Sequence, residues 1–233
     1  YLIWRCGVYI ILMAQKIKLS DYIVNYLASI GVGDVFMITG GGAMHLNESF
    51  GNHPHVKYYC NHHEQAGAMA AEAYARIKGL GVCVVTTGPG GVNTLNGVVG
   101  AWLDSIPMLI ISGQVKRETI KPIKKLRQLG VQELNIVDIV RPITKYAVTI
   151  MKPEEIKYHL ERAVYLAKSG RPGPVWLDIP LDIQAAYVEK NSLFGFHPKE
   201  TRSLFNKSKL VEQVDETLEL LRNSRRPVIF AGG

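Results

Sequence analysis

The stretch 81–115, GVCVVTTGPGGVNTLNGVVGAWLDSIPMLIISGQV, decides the fold class. Its continuous apolar run over 82–86 predicts a strand that is buried on both faces. The glycines of 87–91 predict a tight turn, and a helix to about 103 leads into a second buried strand over 107–112. A strand, a helix and another buried strand are typical of a βαβ unit in a parallel sheet.

The same alternation of strands and helices continues on both sides of this unit. It predicts an α/β fold with a doubly wound, mostly parallel sheet and helices on both faces. Ser20 is predicted to cap the first helix, and Gly31 to end it. The further strands are predicted over 35–38, 56–60, 146–150 and 174–179, and the further helices over about 21–30, 43–50, 64–78, 133–140, 153–169 and 210–221.

The chain divides into four predicted segments. Residues 1–12 are apolar but are interrupted by Arg5 and fall short of the roughly 20 residues that cross a membrane, so they are expected to be upstream or non-native sequence. Residues 13–185 are predicted to form the main domain, and the irregular stretch 186–208 a linker. Residues 209–233 end in a strand-like run with no partner, and we expect them to be the truncated start of another domain.

Composition and charge exclude several classes of protein. The chain has 27 Lys and Arg against 20 Asp and Glu, for a formal charge of +7 over 233 residues. The basic residues are mostly scattered and accompany no nucleic-acid-binding motif, so we expect no nucleic-acid partner. Three cysteines are too few for a disulfide scaffold and suit a reducing compartment, which predicts a cytoplasmic protein without a membrane anchor.

Three predicted strands end in residues that suit ligand binding: TGGGA at 39–43, NHHE at 61–64 and TGPGGVN at 87–93. Ligands of open parallel sheets bind beyond the carboxyl ends of the strands. Neither glycine segment fits GxGxxG or the P-loop, and His62 and His63 lack metal-ligand spacing, so no metal site is predicted. Glu64 is open to two interpretations: a carboxylate favoured by a helix N-terminus, or an acid–base group with a raised pKa.

Taken together, the motifs resemble thiamine-diphosphate enzymes related to the large subunit of acetolactate synthase. The resemblance runs from about residue 19 to residue 233 and implies a pyrimidine-binding (PYR) domain followed by the opening of a central domain. The motifs that carry it are GGGAMHL at 40–46, HEQAGAMAAEAYAR at 63–76, the long stretch at 86–115, RPITKYA at 141–147 and SGRPGPVWLDIPLDIQ at 169–184.

The resemblance assigns the central chemical role to Glu64. The glutamate at this position of the family hydrogen-bonds N1′ of the cofactor's aminopyrimidine and so promotes loss of the C2 proton. Gly41 and Gly42 match the glycine turn beside the cofactor, where backbone N–H groups favour a developing oxyanion. His63 is interpreted as structural.

The other implied site residues surround the same cofactor. Pro89 and Asn93 match the wall of the pyrimidine pocket, and Gln132 matches a glutamine near the reaction centre. Lys145 matches a lysine near the substrate channel, with a solvated surface lysine as the alternative. Arg171 matches an arginine that contacts FAD in acetolactate synthases, with a structural arginine as the alternative.

The resemblance implies decarboxylation of a 2-oxo acid and its ligation to a second carbonyl compound. It implies thiamine diphosphate, with Mg²⁺ held by a C-terminal domain whose GDG…N motif this sequence lacks, and FAD as a possible third group. It further implies a homodimer or homotetramer with the site between subunits, and hence an inactive chain when this segment is alone. Two alternatives stay open: a simple 2-oxo acid decarboxylase, and a non-catalytic interaction or regulatory domain that keeps the fold.

The sequence departs from the synthases near the implied substrate entrance. Val131 stands where they have an aromatic residue, and the loop over 116–130 is several residues longer. A smaller side chain leaves more room in the entrance. We therefore expect a larger or more polar carbonyl partner than pyruvate alone.

Overall fold

The computed structural model describes residues 16–120, 126–200 and 207–231. Within them the chain forms two compact units that divide between Phe196 and His197. The expectation for residues 1–12 lies outside the described residues.

Eight strands and nine helices lie within the described residues. The strands are Lys16–Lys18 (β1), Asp34–Met37 (β2), Lys57–Cys60 (β3), Gly81–Val85 (β4), Met108–Gln114 (β5), Tyr146–Thr149 (β6), Val175–Pro180 (β7) and Tyr187–Glu189 (β8). The helices are Leu19–Ser29 (α1), Met44–Asn52 (α2), Glu64–Lys78 (α3), Pro89–Asn93 (α4), Leu95–Leu103 (α5), Ile136–Val140 (α6), Ile156–Lys168 (α7), Leu181–Ala185 (α8) and Lys207–Asn223 (α9).

Six of the strands form one parallel sheet in the order β3-β2-β4-β5-β7-β6. Strand β4 lies near the middle, and the chain winds outward from it in both directions, as in a doubly wound sheet. All five residues of β4 and all seven of β5 are buried, which is why the apolar runs 82–85 and 108–111 show no alternation. The predicted fold class is confirmed.

The hydrophobic core lies on both faces of this sheet. Val82 and Val84 of β4 pack into the cluster that contains α1, α2, α7 and α8. Cys83 and Val85 point the other way, into the cluster that contains α3, α5 and α6. Successive residues of a strand face opposite sides, so one apolar strand supplies both clusters.

The start of α1 corrects the prediction for Ser20. The helix begins at Leu19, and the flanking residue Lys18 makes no side-chain capping hydrogen bond. Ser20 is fully buried inside the helix, and its Oγ accepts a hydrogen bond from Ser49 Oγ at 2.8 Å. Gly31 does follow the end of the helix, with a φ of +90° that favours glycine.

Two elements that the sequence analysis does not predict follow β7. Helix α8 follows β7 directly, and β8 pairs antiparallel with β1, with Ile17 opposite Val188. The segment expected to be a linker, 186–208, therefore begins with a strand, and the first compact unit continues to Phe196. The predicted helix after the 87–91 turn is also two helices, α4 and α5, which meet at Thr94.

The second unit contains α9, where the sequence predicts an amphipathic helix. Its predicted apolar residues Val211, Val214, Leu218 and Leu221 lie on this helix and are all exposed.

Candidate functional site

The carboxyl edge of the parallel sheet gathers most of the predicted site residues. Strand β2 leads into a short 3₁₀ turn, Gly41–Ala43, and β3 leads to Glu64 at the first position of α3. Strand β4 leads into the turn before α4, which begins at Pro89 and ends at Asn93. Because parallel strands end at the same edge, these three connections lie side by side.

Glu64 is held at the start of α3 by its neighbours. His63 caps the helix, because its Nδ1 accepts a hydrogen bond from the backbone N–H of Gln65 at 3.2 Å. The side-chain amide of Asn93 donates to Glu64 Oε2 at 3.0 Å. The carboxylate is half-buried, and its other oxygen lies 3.5 Å from the position that a Cβ on Gly90 would occupy. The glycine turn therefore approaches the carboxylate closely.

Thr86 joins the two glycine turns, and the sequence interpretation did not include it. Its Oγ1 accepts a hydrogen bond from the backbone N–H of Gly42 at 3.1 Å. A Cβ on Gly40 would lie 2.5 Å from Thr86 Cβ, and a Cβ on Gly90 would lie 2.9 Å from Thr86 Cγ2. This threonine packs between the turn after β2 and the turn beside Glu64, and its place at the end of β4 was the available signal.

Gly42 lies where the ends of three strands meet. A Cβ on this residue would lie 2.5 Å from Thr87 Oγ1, and a Cβ on Gly113 would lie 2.0 Å from Gly42 O. That carbonyl accepts a hydrogen bond from Gln184 Nε2 at 2.7 Å. Because the Gly42 N–H already donates to Thr86, this N–H is engaged within the chain, unlike the free oxyanion donor that the resemblance implies.

A cleft of about 450 Å³ brings Pro89, Asn93 and Gln132 together. Gln132 has a left-handed backbone with φ +60°, and a Cβ on Gly88, itself at φ +60°, would lie 2.2 Å from Gln132 O. Only a glycine in the turn after β4 allows the segment that carries Gln132 to approach so closely. Gln128 and Leu134 complete this side of the cleft.

Lys145 and Arg171 lie at the opposite, amino edge of the sheet, just before β6 and β7 respectively. The Lys145 ammonium donates to the carbonyl oxygens of Leu166 and Ser169 at the end of α7, and burial lowers its pKa. Arg171 Nε donates to Ser105 Oγ at 2.7 Å. Both residues line a second cleft of about 320 Å³ beside Trp102. The structure therefore brings them together with each other and not with Glu64 of the same chain.

Two further buried groups titrate abnormally. Burial, together with a smaller effect of the charge of nearby Glu64, raises the pKa of the Cys83 thiol to about 12. This cysteine is therefore a neutral core residue. Burial also raises the pKa of Asp178 to about 6. Hydrogen bonds from Ser112, Gln114 and Thr149 lower this pKa, but they offset only part of the effect of burial.

The described residues contain no group of three or more His, Cys, Asp or Glu side chains placed to hold a metal ion. His62 and His63 follow each other at the end of β3, and His63 is occupied as a helix cap. In the same part of the chain, no helix has both the length and the apolar character that crossing a membrane requires.

The fold and the cleft define a class: an α/β domain with a cleft at the carboxyl edge of a parallel sheet, where Asn93 of the cleft binds a half-buried carboxylate. Residues 17–139 match the family model described as "Thiamine pyrophosphate enzyme, N-terminal TPP binding domain". The match covers more than half of the chain, and the chain belongs to this family. The predicted relationship is confirmed.

Acetolactate synthases are among the proteins to which the chain is similar. Acetolactate synthase 2, chloroplastic, from Zea mays is 38% identical over 225 residues, which cover 93% of this chain and 33% of that protein. Acetolactate synthase 1, chloroplastic, from Oryza sativa subsp. japonica is 37% identical over 229 residues, covering 94% of this chain and 33% of that protein. The chain thus spans about a third of the length of these relatives.

Proposed function

We propose that this chain forms the aminopyrimidine-binding part of a thiamine-diphosphate-dependent 2-oxo acid decarboxylase and carboligase. The observation that carries the proposal is the half-buried carboxylate of Glu64, held by Asn93 at 3.0 Å above a glycine turn. Membership of the family and the acetolactate synthase relatives support it.

The residues of the carboxyl edge fit an aminopyrimidine. That ring is flat and needs one carboxyl group at N1′, apolar walls and a backbone that comes close to it. Glu64 supplies the carboxyl group, and Pro89 and Val92 supply apolar surface in the cleft. The glycines of the turn remove the side chains that would otherwise fill this space.

Each residue then has a defined task in the proposed reaction. Bound thiamine diphosphate supplies the electron sink that decarboxylation needs. Glu64 would share a proton with N1′ through its second carboxylate oxygen, and Asn93 orients the carboxylate by donating to the first. We propose that Gln132, which lines the same cleft, hydrogen-bonds a substrate carbonyl oxygen.

The rest of the proposed site belongs to other parts of the enzyme. We propose that the diphosphate and Mg²⁺ bind to a C-terminal domain, that this domain belongs to a neighbouring subunit, and that the enzyme is therefore at least a homodimer. Lys145 and Arg171 keep their proposed roles at the substrate channel and at FAD only if such an assembly brings the amino edge to a site, because both lie away from Glu64 in one chain.

The substrates are proposed to be a 2-oxo acid and a carbonyl acceptor. Val131 is 83% exposed beside Gln132, so its side chain fills no part of the cleft. The proposed preference for a partner larger or more polar than pyruvate therefore holds only if the assembled enzyme brings Val131 to the substrate entrance.

The test is turnover by the full-length protein with thiamine diphosphate and Mg²⁺, supplied with pyruvate alone and with pyruvate plus larger aldehydes or 2-oxo acids. A carboligase releases CO₂ and forms a coupled product. A simple decarboxylase releases CO₂ and the free aldehyde. A regulatory domain gives neither product, and that result would refute the proposal.

A further inference from the structure

A buried carboxylate lies within the sheet on β7, between β5 and the edge strand β6. Asp178 on β7 is 1% exposed. Ser112 Oγ donates to its Oδ1 at 2.6 Å, and Gln114 Nε2 and Thr149 Oγ1 each donate to its Oδ2 at 3.0 Å. The three donors come from the neighbouring strands β5 and β6, and none of them is charged. A buried carboxylate with neutral partners is costly to maintain, which calls for a reason.

Gln114 connects this carboxylate to the segment that carries Gln132. Its Nε2 also donates to the carbonyl oxygen of Leu134 at 2.9 Å, and its Oε1 accepts from the backbone N–H of Val115 at 3.0 Å. The amide nitrogen has two hydrogens, and Asp178 takes one of them. The other hydrogen is therefore directed at Leu134.

Leu134 lies two residues after Gln132, so the bond from Gln114 fixes one side of that segment. On the other side, Gln132 O packs against Gly88 of the glycine turn. A third close contact joins Gly130 to Val115, because a Cβ on Gly130 would lie 2.8 Å from a Val115 methyl group. The position of Gln132 therefore depends on the end of β5, where Gln114 and Val115 lie.

We propose that Asp178 and Gln114 form a positioning pair that sets the place of Gln132 in the cleft. The proposal rests on the proposed function, in which this cleft holds the cofactor and substrate. Neither residue lines the cleft, so both act through the Leu134 carbonyl. The carboxylate accepts hydrogen bonds only, and this keeps the amide of Gln114 from turning over and presenting its oxygen to Leu134.

The proposal can be tested by exchanging the carboxylate and the amide between positions 178 and 114. In the full-length protein, Asp178→Asn and Gln114→Glu are made singly and together. The double variant restores a donor–acceptor contact between the two side chains. It leaves a carboxylate oxygen facing Leu134 O, where the native protein has an N–H donor.

We expect amide hydrogen exchange over residues 128–135 to accelerate roughly tenfold or more in Asp178→Asn without cofactor. In the double variant the unfolding midpoint recovers, while the fast exchange in this segment remains. A purely structural role predicts that stability and exchange recover together, and that result would overturn the proposal. If Asp178→Asn does not fold, Gln114→Met cuts the same link to Leu134, and native exchange over residues 128–135 in that variant would overturn the proposal.

Turnover supplies a second, independent readout through a cycle with Gln132→Ala. If Asp178 acts through Gln132, adding Asp178→Asn to Gln132→Ala lowers kcat no further. If the two losses multiply instead, the positioning role is wrong. Failure of the proposed function is a separate result. A Glu64→Gln variant with the native rate of C2 proton exchange would refute the cofactor site, whatever the amide hydrogen exchange of residues 128–135 shows.

Discussion

Asn93 Nδ2 donates to Glu64 Oε2 at 3.0 Å, across the gap between the last residue of α4 and the first residue of α3. Two strand connections that are 29 residues apart in sequence thus form one polar contact. The contact fixes one carboxylate oxygen and leaves the other for a ligand. The role proposed for Glu64 depends on this geometry.

Removal of Asn93 is expected to weaken the function of Glu64 more than the fold. A hydrogen bond to a charged group contributes about 1.5–3 kcal/mol, so Asn93→Ala should slow C2 proton exchange of bound thiamine diphosphate by roughly tenfold to a hundredfold. NMR of the quenched cofactor measures this rate. Asn25→Ala, at an exposed position of α1, is the matched control and should exchange at the native rate. An Asn93→Ala rate equal to that of the control would contradict the role.

The glycine turn after β2 offers a matched pair of substitutions. A Cβ at Gly42 would lie 2.5 Å from Thr87 Oγ1, whereas a Cβ at Gly41 would meet nothing within 4 Å. We expect Gly42→Ala to lower the free energy of unfolding by about 1–3 kcal/mol, because overpacking a closed site forces neighbours to move. Gly41→Ala should change it by less than about 1 kcal/mol. Urea unfolding of both variants measures the two free energies. An equal loss of unfolding free energy in the two variants would show that the neighbours of Gly42 move aside without cost.

Asp178 gives the stability a dependence on pH. Its pKa is about 6 in the fold against an ordinary 3.8, chiefly because of burial, so the folded chain binds this proton more tightly than the unfolded chain. The free energy of unfolding should therefore fall as pH rises from about 4 to about 6, by up to about 3 kcal/mol, and the contribution is constant above that range.

The measurement is urea unfolding between pH 4 and pH 7. In Asp178→Asn, the free energy of unfolding should not show this fall between about pH 4 and pH 6. Asp215→Asn, at an exposed position of α9, is the control and should show the same fall as the native protein. A native pH profile in the Asp178 variant would show that this carboxyl does not titrate as described.

Lys145 is expected to contribute to stability through the end of α7. Its ammonium donates to two carbonyl oxygens there, those of Leu166 and Ser169, which the helix itself leaves without partners. Lys145→Met should cost about 1–3 kcal/mol of unfolding free energy. Lys168→Met, which removes an exposed lysine from the same helix, should cost under about 0.5 kcal/mol. Equal melting temperatures for the two variants would contradict the capping role.

Much of the fold follows from local patterns in the sequence. Buried parallel strands are continuous apolar runs, and the predicted positions of β4, β5 and β7 are confirmed to within about two residues. Strands β1 and β8 have only three residues each and pair with each other over more than 160 residues of chain, so no periodicity marks them. Ser20 was misinterpreted because a tertiary partner, Ser49, competes with the capping role.

The candidate site shows the same division between local and long-range information. The glycine turns and Glu64 were identifiable because each follows a predicted strand, and parallel strands place such ends together. The bond between Asn93 and Glu64 and the packing of Thr86 between two turns could not be predicted beyond the strand connection that carries each residue. Those facts depend on how separate connections pack, which spacing along the chain does not encode.

Hydrogen–deuterium exchange at C2 of thiamine diphosphate bound to the full-length protein with Mg²⁺ tests the central claim most directly. The Glu64→Gln variant, compared with the native protein at saturating cofactor, keeps the shape of the side chain but removes the proton-holding carboxyl group. We predict an exchange rate lower by on the order of 100-fold or more, with an unchanged unfolding midpoint. Native exchange rates in cofactor-loaded Glu64→Gln protein would contradict the account.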